Sequence, residues 1–280
     1  MSIGGKTFDE AINGLQDMTG GMVAIGRDEH LQRIAKAQAR MRELGMAAIY
    51  LNAGTNLTYF TGTKWHPSER MVGAILPASG ALEYIAPAFE ECTLQGFMQV
   101  EGAVNCWEEH ESPYQLFIDV LARVGIAASE AAPPRIGMCE SAPWFIADGV
   151  RKLAAGYVLD NASAVTAFCR SRKSAAEIAL MQRVKDMTPE VHKAAASILY
   201  AGITTVEVAD FIARAHRKVG APGSYFCIVL FGEATAYPHG VNYVQTLRAG
   251  DMVLIDTGCK LHGYISDITR SYVFGEASER

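Results

Sequence analysis

The chain has 280 residues, of which half are hydrophobic and a fifth are charged, an ordinary globular composition and a length that suits two domains. Its formal net charge of −5 at pH 7 provides no basic face for nucleic acid or an anionic membrane surface. The sequence contains neither a signal-peptide core nor an apolar run approaching the roughly 20 residues of a membrane helix. We therefore expect a cytoplasmic protein without a nucleic-acid or membrane partner.

Helix-like and strand-like segments alternate through the first 160 residues. The segment from Asp28 to Gly45 starts with an aspartate, repeats apolar residues at helical spacing and ends at a glycine, so it predicts a helix. Further helix-like stretches lie at 113–124 and 144–154, and strand-like runs lie at 47–51, 71–77, 81–87, 135–139 and 157–160. This alternation predicts an α/β domain over residues 1–160.

The second half begins with two helix-like stretches instead of a strand. The first runs from about 162 to 200 and is rich in Ala, Met, Lys and Glu, and the second covers 205–219 with apolar residues on one side. Strand-like runs follow at 224–231, 252–258 and 264–274. We place the domain boundary near Asp160 and Asn161, so that a second domain covers residues 161–280.

The cysteines and histidines form no recognisable redox or zinc motif. Six cysteines are scattered without a C-x-x-C pair or dense disulfide spacing, which indicates reduced thiols. Seven histidines include no H-x-x-x-H pair, so the helix motif of zinc proteases is absent from the sequence.

Two aspartates stand in the middle of the last two strand-like runs, in VLIDTGCKLHGYISDITRSYVF (253–274). Aspartate is depleted in strands and costs free energy to bury. If Leu261 and His262 form the tip of the turn, Asp256 and Asp267 face each other with Cβ atoms about 4.5–5.5 Å apart. Two ionised carboxylates at that distance repel each other unless a cation lies between them.

A divalent metal ion would remove this repulsion. A pair of ions roughly 3.5–4 Å apart would do so better, because such sites commonly share a bridging carboxylate. The alternative is an exposed hairpin whose aspartates point into water. The apolar flanks, including Val253 and Ile255, favour buried strands and therefore the metal site.

The residues around these aspartates resemble a known family. Asp256-Thr-Gly followed by GYISDITR (263–270) is similar to the first two metal ligands of the pita-bread metallopeptidases, which include Xaa-Pro dipeptidases (prolidases), Xaa-Pro aminopeptidases and methionine aminopeptidases. Pro238-His239-Gly240 resembles a further motif of that family. In the first half, LNAGTNLTYFTG (51–62) resembles the creatinase-type N-terminal domain, which methionine aminopeptidases lack.

The resemblance implies an α/β (α+β) protein with a creatinase-like N-terminal domain at 1–160 and the first half of a pita-bread catalytic domain at 161–280. It implies that Asp256 chelates one of two divalent ions and that Asp267 bridges both, with a hydroxide between the ions as nucleophile. His239 corresponds to the histidine that lines the substrate cleft and binds the substrate. Carboxylate ligands favour Mn²⁺, with Zn²⁺ or Co²⁺ as alternatives.

The resemblance also implies that the site is larger than these residues. A histidine and two glutamates are expected as further ligands beyond Arg280, so we expect either a longer chain or a second polypeptide that completes the catalytic domain. Trp65, with His66 and Arg70, is a weaker candidate, since relatives of this architecture can send N-domain residues toward a partner subunit's active site. That reading implies a homodimer and a substrate contact by Trp65, whereas surface or inter-domain packing is the favoured alternative.

The leading hypothesis is a metallopeptidase that cleaves the bond preceding proline in small peptides, as an Xaa-Pro dipeptidase. Three alternatives stay open: an Xaa-Pro aminopeptidase acting on longer peptides, a creatinase-like amidinohydrolase, and a pita-bread binding protein without catalysis. The creatinase branch works without metal, so the pair of aspartates argues against it. The peptidase hypothesis would fail if the expected remainder of the catalytic domain lacked a histidine and two glutamates at ligand spacing.

Overall fold

The computed structural model describes residues 3–277, which form two compact units. One unit is Ile25–Lys173, and the other combines the described residues up to Ala24 with those from Ser174 onward. The boundary expected near Asp160 lies inside the first unit, because the strand ending at Asn161 completes that unit's sheet. Residues 3–24 differ from expectation in belonging to the second unit.

The helices and strands are numbered here in chain order. The helices are α1 (Phe8–Asn13), α2 (Arg27–Leu44), α3 (Thr55–Thr61), α4 (Glu91–Phe97), α5 (Pro113–Arg123), α6 (Trp144–Leu153), α7 (Ser163–Arg170), α8 (Ala175–Ser197) and α9 (Thr205–Lys218). The strands are β1 (Met46–Asn52), β2 (Gly73–Pro77), β3 (Leu82–Pro87), β4 (Gly102–Trp107), β5 (Arg135–Met138), β6 (Val158–Asn161), β7 (Ser224–Phe231), β8 (Met252–Leu261), β9 (Tyr264–Ile265) and β10 (Ile268–Val273). Short 3₁₀ helices lie at Ala88–Glu90 and Gly232–Ala236.

The unit Ile25–Lys173 is a mixed six-stranded sheet with helices on both faces, in strand order β4-β3-β2-β1-β5-β6. Successive side chains of each strand point to opposite faces of the sheet and so enter two separate hydrophobic cores. Ile49 and Leu51 pack with α2, α3, α4 and α7, whereas Ala48 and Tyr50 pack with α5 and α6. Because both faces are covered, the central strands are apolar along nearly their whole length, as expected for an α/β domain.

The second unit is built on a smaller antiparallel sheet in the order β10-β8-β7, with β9 paired to β8. Helices α8 and α9 share one apolar core with β7 and β8, through side chains such as Val191, Phe211 and Ile255. The short helix α1 joins the same core, where the rings of Phe8 and Phe211 meet edge to face at 5.4 Å between centroids. This contact helps to explain why residues 3–24 belong to the second unit.

The turn between β8 and β9 differs from the one that the sequence analysis placed at Leu261 and His262. His262 and Gly263 form the turn, with φ angles of 48° and 96°. Left-handed backbone at both central residues gives a two-residue hairpin turn whose twist matches that of the flanking strands. The register therefore moves by two residues, and Asp256 lies opposite Thr269 instead of Asp267.

The ladder between β8 and the returning chain is interrupted at Ser266 and Asp267. The Cys259 N–H donates to the Ser266 hydroxyl at 2.9 Å, so a side chain replaces a backbone carbonyl as acceptor. The Ser266 carbonyl approaches Gly258 so closely that a Cβ there would overlap the oxygen and lie 2.7 Å from the carbonyl carbon. Gly258 is thus required for the close approach of the two backbones.

The replacement Gly258→Ala should destabilise the second unit by about 3 kcal/mol, near the upper end of the cost of forcing extra atoms into a packed site. The carbonyl that the new methyl group meets belongs to the backbone and cannot turn aside. Urea unfolding monitored by circular dichroism measures the change. Gly20→Ala is the matched control, because no heavy atom lies within 4 Å of its added Cβ. Equal midpoints for the two variants would contradict the close approach.

Candidate functional site

Asp256 lies in the middle of β8 and is half-buried. The hydroxyl of Thr269 donates to its Oδ1 at 2.8 Å, which places both side chains on the same face of the hairpin. Asp267, exposed and directly before β10, would share that face by the alternation of a strand. As diagonal neighbours the two aspartates are expected about 7–8 Å apart, farther than the direct opposition that the sequence suggested.

Neither carboxylate pairs with a lysine, arginine or histidine within residues 3–277. Two negative groups on one face without a cationic partner suit a divalent cation, and carboxylate oxygens are the ligands that Mg²⁺, Ca²⁺ and Mn²⁺ prefer. Among the described residues, however, no group of three or more His, Cys, Asp or Glu side chains is placed to hold a metal. Asp256 and Asp267 therefore fit as part of a ligand set that needs further donors.

His239 is exposed on the loop that follows β7. This loop starts with the 3₁₀ helix Gly232–Ala236 and then turns, with the Gly240 N–H donating to the Tyr237 carbonyl at 3.0 Å. In the part of the chain that the structure describes, His239 makes no hydrogen bond or ion pair with Asp256 or Asp267. The structure thus leaves its imidazole open to solvent and free to meet a ligand.

Trp65 lies in the other unit and packs within it. Its half-buried ring meets that of Phe97 at 6.0 Å between centroids and contacts the core beneath α2, α3 and α4. Nearby, the Arg70 Nε donates to Glu109 Oε1 at 2.9 Å, and its guanidinium lies 5.2 Å from the Phe89 ring centroid. These contacts show packing for Trp65 and surface pairing for Arg70 within their own unit, and the substrate contact of Trp65 stays a prediction.

The sequence analysis missed buried polar residues on α8 and α9. His192 Nε2 donates to the Ile268 carbonyl at 2.9 Å, and His216 Nδ1 lies 2.9 Å from the Ser224 hydroxyl. The second ring nitrogen of each histidine is buried without a hydrogen-bond partner among the described residues. Burial lowers the pKa of His192, with the carbonyl contact partly opposing it, and lowers the pKa of His216 to about 4, with neighbouring His192 adding to that shift. Both rings are therefore neutral at pH 7.

Two known family models match the chain, one in each of its two parts. Residues 33–172 match the creatinase/prolidase N-terminal domain, and residues 179–280 match metallopeptidase family M24. The chain thus carries a creatinase/prolidase N-terminal domain across half of its length, followed by residues of metallopeptidase family M24. The family and fold class predicted from the sequence are thereby confirmed, with a creatinase-type domain preceding M24 residues.

Relatives with known sequences or structures carry peptidase names. A putative dipeptidase, YkvY of Bacillus subtilis, is 27% identical over 245 residues, which are 87% of this chain and 66% of that protein. The crystal structure of dipeptidase PepE from Mycobacterium ulcerans has a TM-score of 0.79 at 28% identity and covers 92% of this chain and 68% of that one. A prolidase from Thermococcus sibiricus has a TM-score of 0.77 at 28% identity, covering 89% and 67%.

This chain thus spans about two thirds of the length of these relatives.

No helix within residues 3–277 combines the length and apolar character needed to cross a membrane.

The buried histidine His216 should make the stability of the second unit fall in mild acid. Its pKa is about 4 in the folded protein and near 6.5 when unfolded, so between these values only the unfolded chain takes up the proton. The free energy of unfolding should drop by about 2 kcal/mol between pH 7.5 and pH 5 from this group, and its contribution should level off below pH 4.

Urea unfolding at half-unit pH steps measures this loss. His216→Asn keeps a polar atom near Ser224 but has no titrating ring, so its curve should be flatter than that of the native protein. His110→Gln, at an exposed histidine of the other unit, serves as control and should follow the native curve. An unchanged slope in His216→Asn would rule out this origin of acid sensitivity.

Proposed function

We propose that the protein is a metal-dependent peptidase that hydrolyses the peptide bond preceding proline, with Xaa-Pro dipeptides as substrates. The observation that carries this proposal is the pair Asp256 and Asp267, which occupy one hairpin and have no cationic partner within residues 3–277, in a chain that matches family M24. Relatives at 27–28% identity are named dipeptidase and prolidase, which supports the choice of a dipeptide.

Asp256 and Asp267 would hold two divalent ions, Asp256 as a ligand of one and Asp267 as a bridge between both. When bound, such ions polarise a carbonyl group and make a nucleophile available from water near neutral pH. The oxygen-rich donors favour Mn²⁺, and Zn²⁺ or Co²⁺ are the alternatives. We propose a cytoplasmic homodimer as the working assembly, in line with the family resemblance, and a substrate contact by Trp65 remains a prediction.

Two residues of this chain have proposed roles around those carboxylates. The Thr269 hydroxyl occupies one lone-pair direction of Asp256 Oδ1, so it fixes the carboxylate plane and leaves Oδ2 available as a ligand. His239, held on a short turn and open to solvent, would donate a hydrogen bond to the substrate next to the scissile bond. An imidazole on a constrained loop can be both accessible and aimed.

Removal of the metal should abolish hydrolysis of an Xaa-Pro dipeptide, and addition of Mn²⁺ should restore it. Asp256→Asn and Asp267→Asn should each lower kcat/KM by at least about 100-fold, because a neutral amide is a far weaker ligand for a divalent cation than a carboxylate. Metal content by mass spectrometry and dipeptide hydrolysis are measured on the same samples.

Asp186→Asn, at an exposed carboxylate of α8, is the matched control for these two variants and should keep both metal and activity. Full activity after exhaustive dialysis against a chelator would refute the metal-dependent mechanism. Retention of two ions by Asp267→Asn would refute its bridging role.

The proposed substrate class predicts a defined selectivity. A dipeptide such as Ala-Pro should be cleaved, Pro-Ala should not, and the tripeptide Ala-Pro-Ala should be hydrolysed at least about 10-fold more slowly by kcat/KM, a difference of roughly 1.4 kcal/mol in the transition state. Chromatographic detection of the released amino acid measures all three. Preferential cleavage of the tripeptide would instead support the aminopeptidase alternative.

A further inference from the structure

One face of α8 is bonded to the chain on both sides of Asp267. The Thr188 hydroxyl lies 2.7 Å from the Ser266 hydroxyl, and His192 Nε2 donates to the Ile268 carbonyl at 2.9 Å. Thr188 and Ser266 are fully buried, and His192 is 3% exposed. Helix α8 is therefore hydrogen-bonded both to the residue before Asp267 and to the residue after it.

The spacing of these two contacts follows from the geometry of the two elements. Thr188 and His192 are four residues apart, so they lie on one face of the helix, about 6 Å apart along its axis. Ser266 and Ile268 are two residues apart, which is about 6.6 Å in extended chain. Helix and strand segment thus match in length, and the residue between the two contacts projects away from α8.

The carboxylate of Asp267 has no comparable support of its own. It is exposed, and within the described residues it forms neither a hydrogen bond nor an ion pair. The backbone there is also free of the regular ladder, because β10 begins only at Ile268. The position of the carboxylate consequently depends on how its two neighbours are held.

The Ser266 hydroxyl links this support to the strand that carries Asp256. It accepts from the Cys259 N–H at 2.9 Å while it bonds to Thr188, so one buried oxygen joins α8, β8 and the interrupted segment. Hydrogen bonds of this kind are costly to lose, since each removal leaves a buried partner unsatisfied. The network therefore resists displacement of Asp267 relative to Asp256.

We propose that Thr188 and His192 are positioning residues that set the placement of Asp267 as a metal ligand, acting through Ser266 and the Ile268 carbonyl. This inference rests on the proposed function, in which Asp267 binds metal. Residues that orient a ligand without touching the ion commonly change metal affinity by about 10–100-fold when replaced. A packing role alone would lower stability and leave the affinity of the folded protein unchanged.

The test compares Thr188→Val, His192→Leu and His192→Gln in the intact, chelator-stripped protein. Thr188→Val keeps the side-chain shape and removes the hydroxyl, His192→Leu removes the donor to Ile268, and His192→Gln retains an N–H donor. Ser197→Ala is the matched control, because the Ser197 hydroxyl is also buried on α8 but bonds to the Ala194 carbonyl of its own helix. Isothermal titration with Mn²⁺ gives the dissociation constant, and the melting temperature of the metal-free protein gives stability.

Thr188→Val and His192→Leu should each raise the Mn²⁺ dissociation constant at least about 10-fold. His192→Gln should recover most of the affinity, and Ser197→Ala should bind as the native protein does even where its melting temperature falls. If the native protein binds Mn²⁺ and both Thr188→Val and His192→Leu bind it with unchanged affinity, the positioning role is overturned while the proposed function stands. Native protein that binds no Mn²⁺ overturns the proposed function, and the positioning role with it.

Discussion

The register of the β8–β10 hairpin is the constraint on which the candidate site depends. It is set by the two-residue turn at His262 and Gly263, whose left-handed backbone admits only one pairing of the strands. A register shift of one residue would move a side chain to the other face of the sheet, whereas a shift of two keeps its face. Asp256 thus keeps Thr269 beside it, and Asp267 falls on the diagonal.

Much of the fold could be predicted from the sequence because local signals coincide with tertiary structure. Helix α2 ends at Gly45 in a left-handed conformation, and the apolar runs that read as β1 to β3 are the buried centre of the sheet. The short elements α3, α4 and β4 were missed, since they have six or seven residues and little periodicity. The buried Asn56 on α3 shows why: its amide bonds to Glu140 and accepts from Arg170, contacts that no local pattern reveals.

The long helix expected from 162 to 200 is two helices in the structure, and the sequence contains the signal that separates them. Ser174 and Glu177 form a capping box, which begins a new helix at Ala175 after α7 has ended at Arg170. The composition alone, rich in Ala, Met, Lys and Glu, favours helix throughout and does not mark the interruption. The packing of α1 on Phe211 was equally hidden, because six residues carry too little pattern to indicate where they dock.

In the candidate site, too, some residues could be predicted from local sequence and others depend on contacts between distant parts of the chain. Asp256, Asp267 and His239 lie in short motifs that can be read from neighbouring residues. Thr188 and His192 contact the hairpin across more than seventy positions of sequence, so only the folded chain brings them to it. Since the Asp267 carboxylate has no partner among the described residues, all of its lone pairs stay available to a ligand. Its position is instead set by buried hydrogen bonds on the opposite side of the strand. Such an arrangement makes the geometry of an exposed acidic group depend on the packing of α8 against the sheet, and therefore couples the site to the stability of the unit that carries it.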